Sequence, residues 1–284
     1  MKNLLKTELY KAFHNLSFFV TFSTALVIVL WSAMECIHEY YRMESFFKDL
    51  QYTKNLGYPT YTLYCNWIGG EFITAASTLF YFLLPLMAAF PYGWSLVQEQ
   101  RNAYIQNVVS RAGAKRYYGA KYLANFIVAG VTIGLPLLLN FIVVACFIPA
   151  RLPDSIYQVY YAVFGQDMWA LLFYTNPLLY DLLYFLLAIL FAGLWAQLSF
   201  VLAAHFKRQA AVLLLPYLFL LIFHYVWYSQ ITYWFKAEGS PICFLRGVEI
   251  GQPTVWWVVL IEMGILFFVT GGVLLKRSLR DDIF

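Results

Sequence analysis

Residues Gln98–Lys121 read QEQRNAYIQNVVSRAGAKRYYGAK, a charged interruption between two long apolar runs. The stretch holds five basic residues, Arg101, Arg111, Lys115, Arg116 and Lys121, against one acid, Glu99. A loop this basic between hydrophobic spans is retained on the cytoplasmic side. Its interior is not uniformly polar. Tyr104, Ile105, Val108 and Val109 recur at the spacing of one helical face, and Ala112-Gly113-Ala114 then breaks the pattern before a second basic turn. The stretch reads either as a solvated topogenic loop or as a docking helix for a cytoplasmic partner. The apolar stripe favours the second, because a purely solvated loop has no need of it.

The flanking runs set the fold class. The chain has 284 residues, 62% hydrophobic and 12% charged, against about 45–50% and about 25% in soluble domains. The composition predicts an all-α polytopic membrane protein, one transmembrane domain over residues 1–284. Six spans are expected: Leu16–Met34, Phe72–Trp94, Tyr122–Ile148, Leu182–Ala204, Ala210–Tyr228 and Val255–Leu275. Each is near the ~20 residues a helix needs to cross the hydrocarbon core. Trp31, Tyr92, Trp94, Tyr122, Trp227, Tyr228, Trp256 and Trp257 mark span ends, where amphipathic rings favour the headgroup level.

Thirteen of the nineteen Lys and Arg residues fall within 1–16, 98–121, 205–209 and 276–284, whereas only four of the fifteen acids do. The Lys and Arg bias places these segments, and with them both termini, in the cytoplasm. The net charge of +4 reflects this asymmetry and gives no reason to expect a nucleic-acid partner.

Residues 1–15 lack the features of a cleavable signal and read as an amphipathic interfacial helix. Leu4, Leu5, Leu9, Ala12, Phe13 and Leu16 share one face, with Lys2, Lys6 and Lys11 away from it and near anionic lipid. Glu35–Gly70 forms a long outer loop, with a short helix expected near Tyr40–Leu50 and a turn at Asn55–Pro59. Pro85 and Pro91 are expected to kink the second span. Gly130 and Gly134 form a G-x-x-x-G pair that permits close helix contact in the third. Ile156–Phe173 is aromatic enough to dip into the outer leaflet, and His205–Gln209 forms a tight basic hairpin.

No G-x-x-x-x-G-K-[ST] frame includes any of the 16 glycines, and H-E-x-x-H, G-x-S-x-G and C-x-x-C are all absent from the sequence. The sequence thus offers no catalytic residues, cofactor-binding residues or metal ligands of these kinds. His224 lies mid-span and is expected to bond a neighbouring helix. Asn140, Gln197 and Ser199 are available for similar bonds. Glu262 lies within the sixth span, where an ionisable group is costly. It either pairs to hold the bundle together or lines a substrate or ion path. Asp181 and Glu71 sit at outer span ends, where water is expected to reach them. The cysteines fall toward the outer side, so Cys36 and Cys65 can staple the first loop or remain free thiols.

The order of these elements resembles the type-2 ABC exporter permeases. The resemblance rests on Glu99, Arg101-Asn102, the helical run Ile105–Val109, Ser110-Arg111, Lys115-Arg116 and Gly119-Ala120-Lys121, and on the spans around them. The chain has Asn102-Ala103-Tyr104 where that family often has Gly-Thr. The resemblance implies a permease subunit that dimerises with a second copy or paralogue. It implies a separate cytoplasmic ABC ATPase that carries ATP-Mg, since this chain has no nucleotide motif. It places the subunit in the cytoplasmic membrane of a bacterium, moving an amphipathic or hydrophobic substrate. Loop 98–121 then docks the ATPase. Glu99, Arg101, Arg111 and Arg116 are the coupling charges, Ile105 and Val109 the apolar anchors, and the amino-terminal helix lies beside the ATPase. Short re-entrant helices are implied between Gln230 and Pro253. The competing expectation is a stand-alone secondary transporter or intramembrane enzyme, which calls for paired intramembrane charges or an inverted repeat.

Overall fold

In a chain this apolar, backbone polar groups away from water must bond within their own segment, and helices achieve this. The structure, a computed structural model, describes residues 2–49, 61–71, 74–102, 104–230, 240–248 and 254–281, with the side chains of 46–49, 227–230 and 281 outside the description. The Asn55–Pro59 turn lies outside the described residues, which form helices and turns with no strand. In chain order the helices are α1 Lys2–Phe13, α2 Leu16–Asp49, α3 Ala75–Ala89, α4 Ser95–Arg101, α5 Tyr104–Ala112, α6 Ala114–Ala145, α7 Gln158–Tyr161, α8 Ala170–Thr175, α9 Pro177–Leu202, α10 Gln209–Gln230, α11 Pro241–Phe244 and α12 Trp256–Asp281.

Five helices, α2, α6, α9, α10 and α12, are long and apolar enough to cross a membrane. The second expected span differs. Its helix α3 has 15 residues and contains Pro85. It stops at Ala89, and Phe90–Trp94 forms turns before α4 starts at Ser95. Pro91 lacks the amide proton a continuing helix would donate and restricts the residue before it, which ends the regular run. The separate helix expected near Tyr40–Leu50 is the continuation of α2, whose 34 residues rise about 51 Å and overrun a hydrocarbon core of about 30 Å.

The core is built where α9 lies along α6, α3 packs on both, and α2 packs on α6 and α3. The G-x-x-x-G pair works as expected from its spacing. A Cβ at Gly134 would lie 2.6 Å from Ile189 Cγ1 of α9, and one at Gly130 would lie 3.1 Å from Ile189 Cγ2. Buried amides lock the same bundle. Asn140 Nδ2 donates to the Val29 carbonyl at 2.7 Å, while Asn140 Oδ1 accepts from the Ile68 amide at 2.8 Å. Gln197 Nε2 donates to the Tyr122 carbonyl at 3.2 Å. Ser199 instead donates within its own helix, to Ala196. His224 Nδ1 is 2.6 Å from Ser240 Oγ, which ties α10 to the segment that opens α11.

A folded-back segment, residues 61–71, closes the bundle at the end away from α1. Trp67 and Ile68 are fully buried in it. Trp67 Nε1 donates to Asp181 Oδ1 at 2.9 Å, and the Gly247 amide donates to the Gly69 carbonyl at 2.7 Å. This corrects the expectation of solvent-reached acids, since Asp181 is 0% and Glu71 3% exposed. Trp67 of the segment bonds Asp181, and Glu71, the last residue of the segment, turns onto Ser32 of α2. In the last outer region, α11 is one buried turn of helix.

Candidate functional site

The charged interruption folds as two short helices and a long one. α4 carries Glu99, α5 carries the apolar stripe, and Gly113 at φ +82 makes the left-handed turn into α6. Glycine adopts such a φ without a Cβ clash, so the break read at Ala112-Gly113-Ala114 follows from backbone geometry. α6 then places Tyr117, Lys121, Ala124, Asn125 and Val128 on one buried face, at spacings of three and four residues.

Lys121 is 1% exposed. Its ammonium lies 2.7 Å from Glu99 Oε2 and 3.0 Å from Glu8 Oε2. Lys11, on the half-open side, lies 3.0 Å from Glu8 Oε1 and 3.3 Å from Glu99 Oε1. Hydroxyls fill the remaining acceptor positions. Tyr92 donates to Glu8 at 2.6 Å, and Tyr117 donates to Glu99. The Lys121 ammonium also lies 5.0 Å from the Tyr92 ring centroid, and Lys11 lies 4.2 Å from that of Tyr104. Two acids and two lysines make a neutral set, so their burial leaves no net charge in low dielectric.

This network fastens α1, α4, α5 and α6 together. Apolar contacts surround it, with Ala12, Phe18, Leu96, Ile105, Tyr117 and Tyr118 in one cluster against which Leu5, Leu9 and Val109 pack. A further tie comes from α12. The Arg277 guanidinium lies 5.7 Å from the Tyr118 ring, and with the Gln100 amide oriented oxygen toward this cation, Arg277 donates to Gln100 and the Gln100 amide donates to the Ala203 carbonyl at 3.2 Å.

The expected site residues therefore separate into two groups. Arg101, Arg111 and Arg116 are exposed, as is Lys115: Arg101 ends α4, Arg111 lies in the last turn of α5, and Lys115 and Arg116 lie in the first turn of α6. Glu99 and Ile105 do not join them. Glu99 is turned inward, with its side chain 13% exposed and paired to both lysines, and Ile105 is 9% exposed. Val109 is half-buried against the same cluster. The apolar stripe of α5 thus anchors the helix to its own chain, and basic and polar groups are what α5 presents outward. Glu262 is half-buried on α12 between Ile261 and Met263 and far along the helix from Arg277. It is not part of the network.

Sequence reading missed Glu8, Lys11, Tyr92, Tyr117 and Lys121 as a site. One signal was available. Glu8 is the only acid in residues 1–16, and it falls on the Leu5, Leu9, Ala12 face that an amphipathic helix buries. Assigning Lys121 to the loop hid the other half, because α6 begins seven residues earlier, at Ala114.

Burial pushes the Glu8 carboxyl up, but the Lys121 ammonium, the Tyr92 hydroxyl and Lys11 together hold it below its ordinary value of 4.5. Burial pushes Lys11 down, but its hydrogen bonds to Tyr104 and Glu8 and the charges of Glu8 and Glu99 hold it above its ordinary 10.5. The Glu8 contribution is complete above 4.5 and is lost as pH falls through its lowered value. That of Lys11 is complete below 10.5 and is lost as pH rises through its raised value. The docking of α1 is accordingly expected to be constant across the neutral range and to loosen on acidification. A spin label at the exposed Tyr10, in a Cys146→Ser background, should keep one mobility from about pH 5 to about pH 9 and gain mobility below about pH 4.5. A mobility change centred near neutrality would exclude the network as the clamp on α1.

Cys36, Cys65, Cys146 and Cys243 are all free. The Cys36 thiol donates to Glu71 and the Cys65 thiol to the Thr62 carbonyl, so the stapled alternative for the first loop is not adopted. Among the described residues no group of three or more His, Cys, Asp or Glu side chains is placed to hold a metal ion. No family model matches the chain, and neither a curated protein nor a solved structure is significantly similar to it.

Proposed function

We propose that the chain is the membrane subunit of an ATP-driven ABC exporter, and that the basic face of the α5–α6 turn is where a separate cytoplasmic ATPase docks. The observation that carries the reading is that the helices α4, α5 and α6, which carry the exposed Arg101, Arg111, Lys115 and Arg116, also supply Glu99 and Lys121 to a buried charge network. A solvated topogenic loop needs no such anchorage. A handle that transmits force does, because a push on α5 must reach α1 and α6 without dissipating in a flexible joint.

In this reading α3, α4 and the five long helices make a six-span bundle with both termini cytoplasmic. The exposed basic residues Lys207, Arg208, Lys276 and Arg280 belong to the same end as the network, in keeping with retention on the cytoplasmic side. α1 lies at the interface plane beside the ATPase. A second permease copy or paralogue covers part of the apolar faces that α10 and α12 leave exposed, among them Phe219, Ile222, Ile265 and Phe268. ATP-Mg is bound by the partner, and the substrate is an amphipathic or hydrophobic molecule moved across the cytoplasmic membrane.

A second reading, a stand-alone secondary transporter, has one observation in its favour: the buried acids Asp181 and Glu71 at the end opposite the network. Proteoliposomes distinguish the two. With a co-reconstituted ABC ATPase, ATP should drive uptake of an amphipathic fluorescent dye into vesicles with outward-facing ATPase sites, and a proton gradient alone should not. Uptake driven by the gradient without the ATPase would replace the first reading with the second.

A further inference from the structure

A cavity of about 400 Å³ opens at the end of the bundle opposite the charge network, between α2, the folded-back segment and α7. α2 links the two ends. Phe18 belongs to the cluster around the network and Cys36 lines the cavity, a rise of about 27 Å along the helix. The volume is within the range of small-molecule sites.

The walls are of two kinds. One is acidic, with Glu35, Glu39 and Glu71. Glu71 is 3% exposed, and among the described residues its carboxylate accepts from neutral donors, Ser32 at 3.1 Å, Thr74 at 2.5 Å and the Cys36 thiol. Glu35 Oε2 is buried and has no hydrogen-bond partner among the described residues. Glu39 is engaged by Arg42 at 2.6 Å. The buried Arg246 lies over the Tyr81 ring at 5.1 Å and acts on Glu71 at longer range, without an ion pair among the described residues. The opposite wall is aromatic. Tyr61 and Tyr160 meet edge to face with centroids 5.5 Å apart, and Tyr161 packs against Tyr160.

A buried carboxylate oxygen without a donor is costly, and a second carboxylate with no ion pair among the described residues leaves the wall short of positive charge. Aromatic faces beside such acids are the usual surroundings of an organic ammonium, which gains from the rings as well as the carboxylates. A bare metal ion would require several converging ligands, which the described residues of this wall do not offer. We propose that the cavity binds an organic ammonium ion, with its cation between Glu35 and Glu71 and its apolar body against Tyr61 and Tyr160. The proposal is independent of whether the chain couples to an ATPase. The same chemistry is available from a soluble amine or from an ethanolamine lipid headgroup.

The probe pair is phenethylammonium and its neutral isostere 2-phenylethanol, titrated by calorimetry into the purified chain in phosphatidylglycerol nanodiscs. The ammonium should bind saturably, and the alcohol should bind about tenfold more weakly or not at all, the effect of losing a charge-assisted hydrogen bond. Glu35→Gln should weaken ammonium binding by about the same factor with an unchanged Tm, because its unpartnered oxygen holds nothing in the fold. Glu71→Gln should also weaken it, with Tm reporting any loss from its bonds to Ser32 and Thr74. Displacement of phenethylammonium by added phosphatidylethanolamine would assign the site to the headgroup, and undiminished binding would assign it to a soluble amine. Equal affinity for the ammonium and the alcohol, or unchanged ammonium binding in Glu35→Gln, would overturn the proposal.

Discussion

Lys121→Met should destabilise the chain by about 3–5 kcal/mol, the loss typical of removing one member of a buried ion cluster. The reason is what the substitution leaves behind. Glu8 and Glu99 lose an ammonium at 3.0 and 2.7 Å, and the Lys11 that remains is one-third exposed and already shared between both acids. Methionine fills the volume but cannot satisfy a carboxylate. Thermal unfolding in detergent should show a large drop in Tm, with α1 released first because Glu8 is its main buried polar contact. Adding Glu8→Gln to Lys121→Met should restore part of the loss, since it removes one of the two stranded charges, and the shortfall from additivity measures the coupling. Wild-type stability in Lys121→Met would mean that water reaches the network and that it clamps nothing.

The second large effect is expected at the other end. Gly69 sits at φ +111, a region that disfavours a side chain, and a Cβ there would fall on the Tyr81 hydroxyl and lie 2.8 Å from Trp67 Cζ3. Trp67 cannot yield without breaking its bond to Asp181. Gly69→Ala combines backbone strain of about 1–3 kcal/mol with overpacking of similar size. It should lower Tm markedly and expose the Trp67 indole, read as a red shift and quenching of fluorescence relative to the parent. Gly119→Ala, where a Cβ meets nothing within 4 Å, is the matched control and should be neutral or slightly stabilising. Equal behaviour of the two variants would show that the folded-back segment is not a close-packed cap.

What could be read from the sequence was local. The α5 stripe, the break at Gly113 and the Gly130–Gly134 contact each depend on residues a few positions apart, and helical geometry converts such spacing directly into a face. The hydropathy of the long helices is likewise a property of contiguous residues. What escaped was pairing across the chain. Lys121 meets Glu8 over a separation of 113 residues, and Trp67 meets Asp181 over 114. Nothing in the local pattern of either residue names its partner. The direction of Glu99 illustrates the consequence. As a charge in a basic loop it reads as outward-facing, and only the arrival of Lys121 and Tyr117 from α6 turns it inward. The same holds for Asp181, which looks water-accessible at a span end until Trp67 of the segment 61–71 bonds it.

The proposed function requires a basic docking face at the α5–α6 turn, held rigid from behind. It is tested most directly by co-purifying the chain with its co-expressed cognate ATPase, in wild type and in Arg101→Glu/Arg111→Glu. Both arginines are exposed and neither belongs to the buried network, so the variant should keep the Tm of the parent. The account predicts that the wild-type chain retains the ATPase through size exclusion and that the double variant loses it, with high salt weakening the wild-type complex in the same direction. Retention of the ATPase and of ATP-dependent transport by the double variant would contradict it.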